Sequence, residues 1–290
     1  MIDKLDTIMH SLIQHGKLND RIYLLKLAHE DCPGIVFHLN DLAQKNDYSK
    51  LISKVPSKFR QCFIDDGYLE EAYIPGFFNG KTNEKSNGKE NSGTDVLLMS
   101  KFRDAQRSNN LEKDSIDAVL ALSRKKGQLQ KTPQLNAGYT FKMAEKKNVF
   151  HMANLYEKIF PTYPFPVDDP EYLAQTMEED SLYFSIWKED RLISLCSAEM
   201  DKKEKNAEMT DFGTLAGHRG RGFALFLLEK MEREIKKRGI KTAYTIARAL
   251  SFGMNITFAQ AGYTYSGTMI NNTNISGQIE SMNIWYKHLI

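Results

Sequence analysis

No uninterrupted apolar run in these 290 residues approaches the ~18 needed to cross a bilayer, which excludes a chain that spans membranes with helices. The start, Met1-Ile2-Asp3-Lys4-Leu5-Asp6, carries acids and no apolar stretch, so no signal peptide is expected. Cysteine is scarce: Cys32, Cys62 and Cys196 are odd in number and far apart, which suits a reducing cytoplasm and excludes a disulfide framework or a CxxC metal site. The seven histidines form no HxxH, HxH or HExxH set, so no metal is expected. Ser194 and Ser197 lack the GxSxG elbow of serine hydrolases. An excess of either charge is missing too. The 39 Lys+Arg against 37 Asp+Glu leave +2, which argues against a partner such as nucleic acid or anionic membrane. What is present, 41% hydrophobic and 26% charged residues, is enough for a packed core and rules out disorder throughout. The length allows two ordinary domains or one large one.

Two stretches interrupt the globular texture. Residues 79 to 95 are polar and rich in Asn, Gly, Lys, Ser and Glu, and are expected to form a flexible surface loop between two strands. A helical pattern over 111 to 124 (Ile116, Val119, Leu120, Leu122), with the polar tail Lys125 to Pro133, reads as a connector between two halves. Strands are then expected at 139–143, 182–187, 192–200, 206–215, 241–247 and 279–286, and helices at 148–160, 223–237 and 252–261. Prolines 161, 164, 166 and 170 exclude regular helix until Tyr172. Gly239 is placed as the residue that ends helix 223–237. The order is β-α-β-β-β-α-β-α-β. A faint echo joins the halves: Phe63-x-x-x-Gly67-Tyr68 precedes a strand containing Met99, and Phe258-x-x-x-Gly262-Tyr263 precedes one containing Met282.

The sharpest chemical signal is Arg219-Gly220-Arg221-Gly222-Phe223-Ala224, directly between a strand and an amphipathic helix. Glycines 220 and 222 let the backbone approach a ligand, the helix start offers unpaired N–H groups and a positive dipole end, and the arginines add charge. These are the parts of a pyrophosphate cradle; a tight glycine turn with two solvated arginines is the plain alternative. The spacing is neither Walker A nor the dinucleotide GxGxxG. It resembles the (Gln/Arg)-x-x-Gly-x-(Gly/Ala) acyl-CoA loop of the GNAT N-acetyltransferases, and the element order resembles theirs over about residues 137 to 290.

A closer resemblance extends over nearly the whole chain. Lys54-Val55-Pro56, the segment Gly67-Tyr68 to Gly80, Gly262 to Gly267, Asn271-Asn272-Thr273 and Gly277 to Asn283 are similar to the β-lysine N6-acetyltransferases. The resemblance implies an α/β (α+β) GNAT fold: a mixed central sheet flanked by helices, after a smaller GNAT-like N-terminal domain. The divisions expected are 1–108, a helical connector at 109–136, and the GNAT domain at 137–290. It also implies acetyl-CoA as cosubstrate, transfer to the N6 amine of β-lysine, and a product that accumulates as a compatible solute under osmotic stress. The first domain has no RxxGxG/A loop, and is expected to serve packing or to complete the acceptor pocket.

An acceptor ammonium of pKa ~10.4 must lose a proton before it attacks a thioester, so a carboxylate beside the acyl group is required. Strand 206–215 offers Glu208 and Asp211. Strict alternation puts Glu208, Thr210, Phe212 and Thr214 on one face and Asp211 on the other. Glu208 occupies the place where several GNAT enzymes keep their base; either carboxylate could instead hold an ammonium of a diamino acid. The resemblance puts the oxyanion's backbone donor at about Leu215, beside Thr214. It implies a thiolate-protonating tyrosine where this chain has Phe258, so Tyr263 or Tyr265 serves from nearby or the thiolate leaves unassisted. Ser251 and Asn255 are candidates for the pantetheine arm, with helix capping equally open for Ser251. The segment 163–172, with Tyr163, Phe165, Asp168 and Asp169, is the candidate lip over a cationic acceptor, through charge and cation–π contact. Another small amine as acceptor, or a non-catalytic acyl-CoA-binding module, stays open, and nothing here excludes a homodimer.

Overall fold

The computed structural model describes residues 3–78, 95–128 and 134–289. Its first half contains β1 (Lys4–Ile8), β2 (Ser11–Gly16), β3 (Arg21–Lys26), α1 (Ile35–Lys45), β4 (Lys50–Pro56), α2 (Arg60–Asp65), β5 (Leu69–Ile74) and β6 (Val96–Phe102). Then follow α3 (Ala105–Ser108) and α4 (Lys113–Gly127). The second half contains β7 (Thr140–Met143), α5 (Val149–Ile159), α6 (Pro170–Glu178), β8 (Ser181–Lys188), β9 (Arg191–Asp201), β10 (Asn206–Thr214) and α7 (Phe223–Lys237). It closes with β11 (Thr242–Arg248), α8 (Phe252–Gln260), β12 (Thr264–Ile275) and β13 (Gln278–His288).

The two sheets share one strand order. The first runs β1-β2-β3-β4-β6-β5 and the second β7-β8-β9-β10-β11-β13-β12, so that β1 to β6 correspond to β8 to β13. In each sheet one pair is parallel, β3 with β4 and β10 with β11. The sequence echo has a structural cause. In both halves the tyrosine amide returns to the phenylalanine carbonyl at 3.0 Å, Tyr68 to Phe63 and Tyr263 to Phe258, across a glycine at φ 86° or 81°. Each tyrosine ring also meets that phenylalanine edge-on, at 5.1 and 5.0 Å.

β4 is buried on both faces because both are covered. Leu51 and Val55 face α1 and α2, whereas Ile52 joins Tyr23, Ile74 and Leu98 against Tyr244, Met282 and Ile284 of the second sheet. Polar groups lock this interface. The fully buried Lys50 ammonium donates to Glu71 at 3.0 Å and to the carbonyl of Ile270 at 2.6 Å, while the Ile270 amide donates to Glu71 at 2.7 Å. Arg107 donates to the carbonyls of Asn271 and Asn19 at 2.7 and 2.8 Å.

Two elements differ from expectation. β12 was not expected, because Gly267, three asparagines and two register shifts make its sequence read as turn. Helix resumes at Pro170 rather than after it: Asp169 caps α6 and the proline sits in the first turn, where its missing N–H costs nothing. The helix expected over 111–124 runs from 113 to 127, and its Ile116 and Leu120 join the second half's core. The polar loop expected at 79–95, apart from Asp95, and residues 129–133 of the polar tail lie outside the described residues.

Gly267 marks the closest approach between the sheets, since a Cβ there would stand 2.0 Å from the Glu71 carbonyl oxygen. Gly267→Ala is expected to lower Tm by about 2–12 °C, because overpacking costs about 1–3 kcal/mol and each kcal/mol shifts Tm by about 2–4 °C in a large domain. Thermal unfolding followed by circular dichroism tests this, and an unchanged Tm would contradict the close contact.

Candidate active site

β10 carries the site because it leaves one of its neighbours. It pairs with β11 only at Asn206, Ala207 and Glu208, opposite Thr242, Ala243 and Tyr244, and beyond Glu208 a fork opens between the strands. On its other edge β10 stays with β9, apart from a bulge between Thr210 and Gly213. Asp211 sits in that bulge at φ 54°, a left-handed conformation that aspartate tolerates better than most residues. The bulge overturns the strict alternation: Asp211 does not point away from Glu208, and both line the same cavity.

The loop after β10 has the geometry of an anion cradle. Gly220 and Gly222 take φ of 75° and 77°, and Gly222 caps α7. The first helical bond runs from the Phe226 amide to the Gly222 carbonyl, so the amides of Phe223, Ala224 and Leu225 are left for a ligand by the geometry of a helix start. The Phe223 ring is buried and anchors the turn; Arg219 and Arg221 are exposed. Arg219 donates to the Thr214 carbonyl at 3.1 Å, which ties the cradle to the end of β10. The residues present fit a diphosphate.

Several residues expected at the cofactor are otherwise employed. The Leu215 amide donates to the Ile193 carbonyl at 3.0 Å on the β9 side, so it is no oxyanion donor; successive amides alternate, and the one facing the fork at this level is Thr214. Ser251 caps α8, accepting from the Met254 amide. Asn255 is fully buried, donates to the carbonyls of Arg248, Ala249 and Ser251, and accepts from Asn283 and Trp285, which leaves it nothing for a pantetheine arm. Tyr263 is buried on the α7 side of the sheet, its ring 5.7 Å from the Lys287 ammonium, and is not among the residues lining the cavity. Tyr265 bonds Thr268 at 2.7 Å and lies outside it as well. Phe258 does line the cavity, packed edge-on against Phe212 at 5.6 Å.

That cavity, about 1130 Å³, runs from the fork, where Ala247, Met254 and Phe258 line it, to the gap between the sheets. Six carboxylates line it: Glu30, Asp201 and Glu204, and, around the level of the fork, Glu208, Asp211 and Glu199, the last directly opposite Glu208 across the β9–β10 pair. Asp211 accepts from Tyr163 at 2.5 Å, Ser197 at 2.6 Å and Thr210 at 3.3 Å. Desolvation raises the carboxyls of Glu199, Glu208 and Asp211 above their ordinary values. Asp211 and Glu208 add to the rise at Glu199, Lys54 opposes it at Glu208, and the hydroxyl donors oppose it at Asp211.

The first half closes the cavity. The Lys54 ammonium lies 3.1 Å from the Tyr244 hydroxyl, 3.8 Å from Glu208, and over the rings of Tyr23 and Tyr244 at 5.5 and 5.3 Å. Burial works against its charge, but the tyrosine oxygens and Glu208 outweigh burial and raise its pKa. Tyr163 and Phe165 line the cavity, and their segment is held to the first sheet by a Gln14 bond to the Pro164 carbonyl at 2.8 Å. Asp168 and Asp169 do not join them. Both are exposed, and Asp169 caps α6. Sequence reasoning missed Glu199, whose place follows from counting the β9–β10 hairpin outward from its turn, and Tyr23 and Lys54, whose contacts depend on how the sheets meet.

This strand order, with a forked β10 and a glycine-arginine cradle, is that of the GNAT acetyltransferases, whose family model, described as "Acetyltransferase (GNAT) family", matches residues 151–254. The β-lysine N6-acetyltransferase of Methanococcus maripaludis is 36% identical over 99% of both chains. That of Methanosarcina mazei is 33% identical over 87% of this chain and 95% of its own. The N-acetyltransferase YodP of Bacillus subtilis is 30% identical over 96% of each. The chain belongs to the β-lysine N6-acetyltransferase family of acetyl-CoA-dependent GNAT enzymes.

Gly222→Val is expected to abolish acetyl-CoA binding in calorimetry while circular dichroism stays native, because a β-branched residue cannot hold the left-handed cap cheaply; undiminished affinity would refute the cradle. The acid cluster yields a pH prediction. A carboxyl whose pKa is higher folded than unfolded costs stability once ionised, and the cost is complete above the folded value. Asp211→Asn, at a buried carboxyl, is therefore expected to raise Tm at pH 8, with the advantage fading as pH falls toward the unfolded value of about 3.9. An advantage that grew on acidification would reverse the sign assigned here.

Proposed function

We propose that this enzyme transfers acetyl from acetyl-CoA to the N6 amine of β-lysine, giving Nε-acetyl-β-lysine. The observation that carries the reading is the convergence of Glu199, Glu208 and Asp211 on one cavity continuous with the β10 fork. A cationic chain end is drawn to such a recess, and raised carboxyl pKa values suit a proton acceptor. Glu208 takes the proton from the N6 ammonium; Asp211 and Glu199, with Tyr163 and Phe165, hold and orient the chain. The free amine forms the new N–C bond at the acetyl carbonyl while the Thr214 amide faces the oxygen that gains charge; the nitrogen then releases its second proton to water and the C–S bond breaks. Phe258 supplies no proton at the leaving sulfur, and a thiol of pKa ~8.5 departs as thiolate without one. The cradle residues Arg219 to Ala224 hold the CoA diphosphate.

The family names of the relatives support β-lysine as acceptor. Under this reading a GNAT domain over 137–290, joined through 109–136, works with a first domain over 1–108 that completes the acceptor pocket. The product serves as a compatible solute under osmotic stress in the cytoplasm, and neither nucleic acid, membrane nor metal takes part.

Release of free CoA with β-lysine, and far less with α-lysine or spermidine, tests the acceptor; no release with any small amine would overturn the proposal. Glu208→Gln should lower kcat by about 10²–10⁴-fold at pH 7, the usual worth of a general base. The deficit should shrink as pH rises toward the amine's own pKa, and a deficit independent of pH would remove Glu208 from the role.

A further inference from the structure

We propose that Arg21, on the first sheet, binds the carboxylate of the acceptor and thereby selects an amino acid over a plain polyamine. The inference rests on the acceptor class proposed above and adds the group that recognises its acid end. Arg21 begins β3 on the face turned to the second half and is 3% exposed. Its Nη1 donates to the Asn272 carbonyl at 2.6 Å and to Thr273 Oγ1 at 2.9 Å. The buried Nε has no partner among the described residues, and Nη2 makes no hydrogen bond there either. The other cations of this interface are matched: Lys50 with Glu71 at 3.0 Å and Arg107 with Asp20 at 3.7 Å. Arg21 has no carboxylate at ion-pair distance among the described residues.

A desolvated guanidinium without a counter-anion is costly, and its Nε–Nη2 edge has the spacing of a carboxylate's two oxygens. Burial lowers its pKa only to about 10, so it stays charged at neutral pH. Its position fits the acceptor. Arg21 lines the same cavity as Glu208, and its guanidinium carbon lies 5.2 Å from the Tyr23 ring centroid. Lys54 lies 5.5 Å from that same centroid and 3.8 Å from Glu208. The cavity wall thus runs from an anion-binding end at Arg21, past an aromatic ring, to the proton acceptor. Asn272 Oδ1, buried and without a partner among the described residues, adds an acceptor near Arg21 for the ammonium that a β-amino acid carries close to its carboxylate.

The test compares β-lysine, its neutral carboxamide and 1,4-diaminopentane as acceptors. Wild type should show a KM at least about tenfold lower for β-lysine than for the carboxamide, the scale of one charged hydrogen-bonded contact. Arg21→Gln should raise KM for β-lysine to that of the carboxamide, leave the other two within about twofold, and change kcat little; Arg21→Lys should fall between. Equal loss with all three substrates would reduce Arg21 to holding Asn272 and Thr273, and overturn the proposal. Because that hold could make the variant unstable, the wild-type comparison stands by itself: equal KM for β-lysine and its carboxamide refutes the Arg21 assignment while leaving the acceptor reading intact. Failure to acetylate β-lysine at all refutes the acceptor reading first.

Discussion

A single desolvated ion pair fixes how the halves meet. Lys50 and Glu71 both belong to the first sheet, yet between them they satisfy the carbonyl and the amide of Ile270 on β12. Burial lowers the lysine's pKa to about 8, and Glu71 beside it works against that fall. Removing either group would strand a charge inside the protein. β12 is thus pinned at the level of Asn271, Asn272 and Thr273, and the gap left beside it is the cavity that Arg21, Lys54 and Glu208 line.

The donor half of the chemistry was legible in the sequence because it is local. Arg219 to Ala224 lie within six residues, and an αL glycine before an amphipathic helix builds the same cradle wherever it occurs. α7 runs over the very residues its periodicity predicts. The acceptor half was only partly legible. The acids of segment 163–172 attracted attention as charges, but Asp169 serves a helix start and Asp168 faces solvent. Glu199, an exposed position near the end of β9, became a candidate only through its register with Glu208. Asn255 and Leu215 show the reverse case, in which a position that matches a motif spends its hydrogen bonds on the fold.

The cluster of Glu199, Glu208 and Asp211 is a site where stability and function oppose one another. Like charges held together in a recess destabilise the chain that contains them, and a cationic ligand relieves them. Asp211 shows how such strain is contained: three hydroxyl donors surround it in a bulge that its neighbours on β9 hold in place. Lys54 has the same part for Glu208, from across the interface.

The cavity takes its walls from both sheets, and this has a consequence for how such chains diversify. The matched family segment, residues 151–254, contains the donor cradle and the forked strand but neither Arg21 nor Lys54. The residues proposed to hold the donor therefore travel with that segment, whereas those proposed to choose the client lie at the seam between two halves. On that proposal, two homologues identical from β10 through α7 could serve different amines, through changes to one strand of the half that lacks the glycine-arginine loop.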